Sequence, residues 1–294
     1  MADLGDGLIP VLVTGAGGFL GAEVCAALQS KGQEVLAVHH RAARGGIALD
    51  LLDQPSVLSA VSDLGIETVV HCAAMVPKAA AGYSDEAMAA GSIDMVRNLL
   101  GTPIKRMVFA SSMTVYGPED DMPVKEESAR GDALSSPYAR GKWQAEKLIL
   151  DHEGTRSTII RLPGLFGFPR RSGLIYNVAK AFLAKEEPPV SGPFPLWGAL
   201  HVGDAAEVMA DLVLSSDASD GIFNVGYEGA QSIPEAVALL AGMTGARAPD
   251  LGPAPRFEMD LEKLKAALNP AFLGAFPDRL RQTVEAIKAE QASG

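Results

Sequence analysis

Two short stretches in the middle of the chain hold the residues best suited to chemistry. They are Ser111-Ser112-Met113-Thr114-Val115-Tyr116-Gly117 and Tyr138-Ala139-Arg140-Gly141-Lys142. On a helix, positions i and i+4 share a face, so Tyr138 and Lys142 can point together into one cleft. A free tyrosine ionises at about pH 10, too high for general-base work at neutral pH. A neighbouring ammonium favours the phenolate and brings the group towards working pH. A serine at the end of a parallel strand, facing the same cleft, can hydrogen-bond a substrate oxygen. Taken alone, the Tyr-x-x-x-Lys spacing also fits an ordinary surface helix.

These residues need a frame, and the N-terminal stretch Val11 to Gly21 (VLVTGAGGFLG) supplies its start. A short β-branched run ends at Thr14 and is followed by Gly15, Gly17, Gly18 and Gly21, after which Ala22 to Leu28 reads as a helix. Strand, glycine turn and helix N-terminus together make a site for a dinucleotide pyrophosphate. The backbone can approach the phosphates, and exposed N–H groups and the helix dipole favour their charge. The second strand, Glu34 to His39, ends in His39-His40-Arg41, with Arg44 just beyond. An acidic residue at this strand end usually accepts hydrogen bonds from the adenosine ribose hydroxyls. None is present, and Arg41 and Arg44 can pair with a 2′-phosphate, which favours NADP over NAD. A solvated basic loop is the alternative.

The intervening segments fit one architecture. Helical patterns over about Gln54 to Asp63, Asp85 to Leu100 and Pro137 to His152 alternate with the strands Glu67 to Cys72, Arg106 to Ala110 and Ser157 to Arg161. Alternation of this kind predicts an α/β fold, a Rossmann-type doubly wound parallel sheet. From Leu162 the pattern is broken by Pro163, Gly164, Gly167, Pro169 and later by Pro188, Pro189, Pro193 and Pro195. We therefore expect a dinucleotide-binding domain over 1–162, with elements returning from about 199–226, and a small C-terminal substrate lobe with helices over 163–294. His201 to Leu214 and Ser232 to Met243 read as helices, Gly221 to Val225 as a strand, and Pro277 to Ala289 as a surface helix.

Of 294 residues, 48% are hydrophobic and 21% charged, ample for a packed core. A net charge of −11 argues against a nucleic-acid partner, which needs clustered Lys and Arg. The two cysteines, Cys25 and Cys72, read as buried thiols in a reducing compartment. The start MADLGDGLIP has no basic region, and no segment reaches 18 apolar residues, so we expect a cytoplasmic chain without a membrane partner. No metal-ligand pattern is present.

The Thr14-to-Gly21 turn resembles the TGxxGFLG signature of extended short-chain dehydrogenases/reductases, the NAD-dependent epimerase/dehydratase family. His71-Cys72-Ala73-Ala74 is similar to its HxAA, Val115-Tyr116-Gly117 to its VYG and Tyr138 to Lys142 to its YxxxK. RLPGLFG (Arg161 to Gly167) resembles RxxNVYG, HVGDAAEV (His201 to Val208) resembles HVDDVA, and GIFNVG (Gly221 to Gly226) the closing YNVG. The resemblance implies a catalytic set of Ser112, Tyr138 and Lys142. It implies cofactor contacts along the glycine turn, with Phe19 and Leu20 inside it, at His39, and at Asp50 and Leu51 for the adenine end. Cys72, Ala73, Ala74 and Ser111, then Leu162 and Pro163, would follow the nicotinamide end, together with Tyr138 and Lys142. Substrate contacts are implied at Val76, Ser112, Met113, Thr114, Gly164 and Trp197.

The departures bear on the substrate. Met113 and Thr114 replace the Asp-Glu pair that dehydratases of this family use, which disfavours dehydration. Gly164, Trp197 and Ser92 stand where the family usually has an Asn, a diphosphate-binding Arg and a helix Asn. The resemblance thus implies an oxidoreductase or epimerase that moves a hydride at a carbonyl or carbinol carbon of a sugar or nucleotide sugar. Keto-reduction is favoured and 4-epimerisation stands close behind. A redox-inert NAD(P)-binding regulatory or scaffolding subunit is the alternative. The helices at 85–100 and 137–152 imply a homodimer, since their counterparts in the family pair across a two-fold axis.

Overall fold

The computed structural model describes residues 9–41, 45–75, 85–117, 121–129, 131, 134, 136–215 and 220–293. Strand β1 (Val11–Thr14) is buried along its whole length and feeds α1 (Phe19–Ser30). Next come β2 (Val35–His39), the two-residue β3 (Ile47–Ala48), α2 (Gln54–Asp63) and β4 (Thr68–His71). They are followed by α3 (Glu86–Leu100), β5 (Arg106–Ser112), α4 (Pro137–Leu150), β6 (Arg156–Leu162) and β7 (Gly164–Phe166). The remainder is α5 (Leu174–Leu183), β8 (Ala199–His201), α6 (Val202–Leu214), β9 (Gly221–Asn224), α7 (Ile233–Thr244), α8 (Glu262–Ala267) and α9 (Phe276–Ser293).

The main sheet has seven strands in the order β3-β2-β1-β4-β5-β6-β9, so the expected Rossmann-type sheet is present. Its order reverses at β1, where β2 lies on one side and β4 on the other, both parallel to it. In open α/β sheets the crevice at such a switch point, beyond the carboxyl ends of the strands, is where ligands bind. Parallel central strands are covered on both faces, which is why β1, β4 and β5 are continuous apolar runs. Leu12, Val69, Met107 and Ile159, each fully buried, form one core with Val57, Val96, Leu99 and Ile149 from the helices.

Local chemistry sets the helix starts. Asp85 caps α3, its side chain accepting from the N–H groups of Ala87 and Met88, and Pro137 occupies the first turn of α4. The two helices pack closely enough that a Cβ added at Gly141 would lie 3.1 Å from Ala89 Cβ.

The chain divides into two compact units. The first comprises Met1–Gly117, Ala129–Arg161 and Ala206–Phe223; the second comprises Pro118–Ser128, Leu162–Ala205 and Asn224–Gly294. Within the first, Arg106 at the start of β5 donates to the carbonyls of Leu212 and Val213 at 2.6 and 2.7 Å, satisfying the last turn of α6. Within the second, β7 and β8 pair in parallel, and Asp204 accepts from both Arg279 and Tyr227.

Several expectations change. The short β3, the β7–β8 pair and α5 were not expected from the sequence pattern. The segment read as a surface helix is α9, whose Leu280, Val284 and Ile287 are fully buried. Its apolar residues recur at helical spacing and pack against α5 and α7. Cys25 and Cys72 are free thiols, each partly exposed at its surface. Among the described residues no helix is long and apolar enough to cross a membrane.

Candidate active site

The glycine turn fits a dinucleotide by its shape. Gly15 has φ +68°, and a Cβ there would stand 2.8 Å from the Ala73 backbone. At Gly21 a Cβ would meet the Gly15 carbonyl oxygen at 2.2 Å, so only glycine lets α1 start this close to β1. Gly18 is the N-cap of α1 and no side chain caps it, which leaves the helix start suited to an anion. Gly17 and Gly18 are exposed, whereas Phe19 and Leu20, the first residues of α1, are half-buried.

At the end of β2 stands His39, with its ring against Gly17 on one side and Gly46 on the other. Arg41 is exposed, and Arg44 lies outside the described residues. Asp50 is exposed and accepts the Leu52 N–H at 3.0 Å, forming a turn ahead of α2. The Leu51 carbonyl accepts from Asn98 at 2.9 Å. These bonds serve the local chain path, and they leave one carboxylate oxygen of Asp50 for other work.

Tyr138 and Lys142 line one pocket at the ends of β4 and β5, shared with His71, Ala73, Ser92 and Phe109. Lys142 Nζ donates to the Ala110 carbonyl at 2.7 Å. Burial brings its ammonium down to about 8, while the charge of Glu146 pulls the other way. His71 shares a 2.7 Å hydrogen bond with Thr14 Oγ1 through Nδ1, and burial, aided by the charge of Lys142, lowers it to about 3. It is a neutral imidazole at any working pH. Burial pushes the Cys72 thiol up to about 12, so it stays protonated.

Ser112 stands outside that pocket's lining but ends the strand that carries Ala110. Its Oγ accepts from both the N–H and the hydroxyl of Thr114, at 3.2 and 3.1 Å. Two filled lone pairs leave the Ser112 proton to be given outward. Met113 and Thr114 form a 3-10 turn at this point. Val76 lies outside the described residues. Leu162, Pro163, Gly164 and Trp197 belong to the second unit, where Gly164 N–H donates to the Gly198 carbonyl at 3.0 Å and Trp197 is half-buried.

Sequence reasoning missed the group behind this site. Ser111 donates to Glu146, one turn beyond Lys142 on α4, and Glu146 pairs with Arg161 at 2.6 Å. Arg161 in turn donates to the Tyr116 hydroxyl at 2.9 Å. Ser111 and Ser112, the last two residues of β5, thus have different partners, as expected of neighbours on a strand whose side chains alternate between its faces. The Glu at i+4 from Lys142 was the available signal.

The sequence pattern of the NAD dependent epimerase/dehydratase family matches residues 11–226, from the start of β1 to two residues beyond β9. The chain belongs to this family. Among curated relatives, the UDP-glucose 4-epimerase of Caenorhabditis elegans is 26% identical over 171 residues, 48% of this chain and 48% of that one. The 2-alkyl-3-oxoalkanoate reductase of Stenotrophomonas maltophilia is 31% identical over 186 residues, 58% of this chain and 54% of that one. The chain therefore spans about half the length of these relatives. Among solved structures, the UDP-glucose 4-epimerase of Thermus thermophilus in complex with NAD superposes with a TM-score of 0.76. It is 23% identical, with 95% of this chain and 99% of that one covered, a likeness of fold.

Proposed function

We propose that the protein is an NAD(P)-dependent enzyme that exchanges a hydride at a carbinol carbon of a nucleotide sugar, interconverting epimers at position 4 of a UDP-sugar. The observation that carries this reading is the placement of Tyr138 and Lys142 in one pocket beside the switch point of the sheet. The nicotinamide, when bound, supplies the hydride acceptor and donor. The chain's own residues do the rest. Tyr138 takes the hydroxyl proton from the substrate oxygen and returns it. Ser112, whose lone pairs are filled by Thr114, donates to that same oxygen. Lys142 places a positive charge beside Tyr138, which favours its phenolate. The named activity of the C. elegans relative supports the substrate class. Conversion of UDP-galactose to UDP-glucose by the purified protein with added NAD tests it; absence of any conversion with either NAD or NADP overturns it.

A second reading, reduction of a keto group with NADPH, is favoured by the end of β2, where His39 and Arg41 stand instead of a carboxylate. Gly164 and Trp197, in place of polar substrate contacts, favour a less polar substrate, in line with the activity named for the S. maltophilia relative. Oxidation of NADPH by a 2-alkyl-3-oxoalkanoate, without epimerisation of UDP-sugars, would establish it. Hydride exchange in neither assay would point to a cofactor-binding scaffold.

A further inference from the structure

Lys142 is 7% exposed, yet the carboxylate nearest to it along α4 is already committed: Glu146 is paired with Arg161. A buried ammonium costs free energy unless something offsets its lost hydration. Two contacts do so here. One is the Ala110 carbonyl at 2.7 Å; the other is the ring of Phe109, whose centroid lies 4.7 Å from Nζ. The negative face of an aromatic ring attracts a cation, most strongly where water is excluded, and Phe109 is 2% exposed.

The ring is itself held. Thr14, His71 and Phe109 are register partners across β1, β4 and β5, so their side chains form a transverse row at the carboxyl ends of the strands. Thr14 bonds His71, and the His71 ring stacks on Phe109 at 5.7 Å with planes 17° apart. The row begins at the residue before the glycine turn and ends at the ammonium. We propose that Phe109 is a positioning residue for Lys142: its ring face, backed by His71, holds the ammonium at the end of β5 in place of a carboxylate.

The titratable groups around Lys142 are Tyr138 and Glu146 on its own helix, His71 at the end of β4 and Cys72 just after it. His71 and Cys72 are neutral, and Glu146, whose charge favours the ammonium, is committed to Arg161, so the ring is the partner that a substitution can remove without adding charge. The importance of the contact for turnover rests on the hydride-transfer reading, in which Lys142 serves Tyr138. Its existence does not.

The test follows the ε-carbon of Lys142 by NMR in the free protein, using carbon-13-labelled lysine, with Lys142→Ala to assign the signal. Phe109→Leu keeps an apolar side chain but removes the ring face, and should make Lys142 lose its proton about one pH unit lower than in the wild type. Singly and doubly ring-fluorinated phenylalanine placed at position 109 weakens the ring face without changing its shape. It should lower the titration in that order. Coincident titrations across the fluorinated series overturn the proposal, and that series decides the matter if Phe109→Leu does not fold. Because no substrate is present, failure of the hydride-transfer reading is separate. A shifted Lys142 in a protein that turns over neither UDP-sugars nor keto acids would retain the role of Phe109 and remove the proposed function.

Discussion

Arg161 on β6 and Glu146 on α4 form a buried ion pair, with Nη2 2.6 Å from Oε2 and each side chain 2% exposed. Arg161 Nε also donates to Oε1 at 3.1 Å, and Ser111 and Tyr116 complete the group. Removing one partner leaves the other charge buried without compensation. Glu146→Gln is therefore expected to destabilise the fold by roughly 3–5 kcal/mol. The double variant Glu146→Leu with Arg161→Met should recover much of that loss. Urea unfolding of the three chains measures both values, and a Glu146→Gln chain as stable as the wild type would show that the pair carries no such weight.

Tyr138 and Lys142 should respond differently to substitution. Tyr138→Phe removes one hydroxyl, so turnover is expected to fall about 10²- to 10⁴-fold while cofactor affinity changes little. Lys142→Ala removes the charge beside Tyr138 and, on the family resemblance, a ribose contact; turnover and cofactor affinity should both drop. Steady-state kinetics paired with calorimetric cofactor titration separates the two patterns. Near-full activity in Tyr138→Phe would refute the proposed role of that residue.

The neutral, buried His71 makes stability depend on pH. Its folded value is about 3 against an ordinary 6.5, so between these limits the unfolded chain binds more protons than the folded one. Its contribution is thus fully present above about pH 6.5 and is lost as pH falls towards 3, at a limiting slope of about 1.4 kcal/mol per pH unit. His71→Asn should lose less stability between neutral and mildly acidic solution than the wild type does. Denaturant titrations at both pH values give the comparison; parallel losses in the two proteins would exclude His71 as the cause.

The end of β2 should decide between cofactors. On the keto-reduction reading, with Arg41 and no carboxylate at that position, NADP(H) should bind more tightly than NAD(H) by about tenfold or more, the worth of one charge-assisted contact. Arg41→Ala should erase the difference. Equal or tighter NAD(H) binding in the wild type, measured by calorimetry, would favour the epimerase over the reductase.

Assembly offers a further check. On the family resemblance, α3 and α4 would pair with their copies across a two-fold axis, so a dimer is the expected solution species. Light scattering at micromolar concentration reports the mass directly, and a monomer there removes the expectation.

Much of this organisation was legible in the sequence, because it rests on local rules. A β-branched run before spaced glycines, and a tyrosine four residues before a lysine, carry their geometry in their spacing. What was illegible depends on partners distant in sequence. Glu146 reads as a solvated helix position until Ser111 and Arg161, 35 and 15 residues away, are seen around it. Phe109 reads as one more apolar strand residue, and nothing local marks it as the seat of a cation. The two-residue β3 is too short for any period, and β7 and β8 lie among prolines and glycines that mask strand character. Leu280, Val284 and Ile287 were outweighed by the charges around them on α9.

The first compact unit is assembled from three separated stretches of chain, the last ending at Phe223. On the ribosome, therefore, that unit cannot be completed when its glycine turn, or even Tyr138 and Lys142, has emerged. Until α6 and β9 have been made, β6 stands without its outer neighbour, and Arg106 lacks the carbonyls of α6. An open strand edge of this kind invites pairing with other chains. Nascent or truncated forms ending between β6 and β9 should accordingly be the ones that need chaperones.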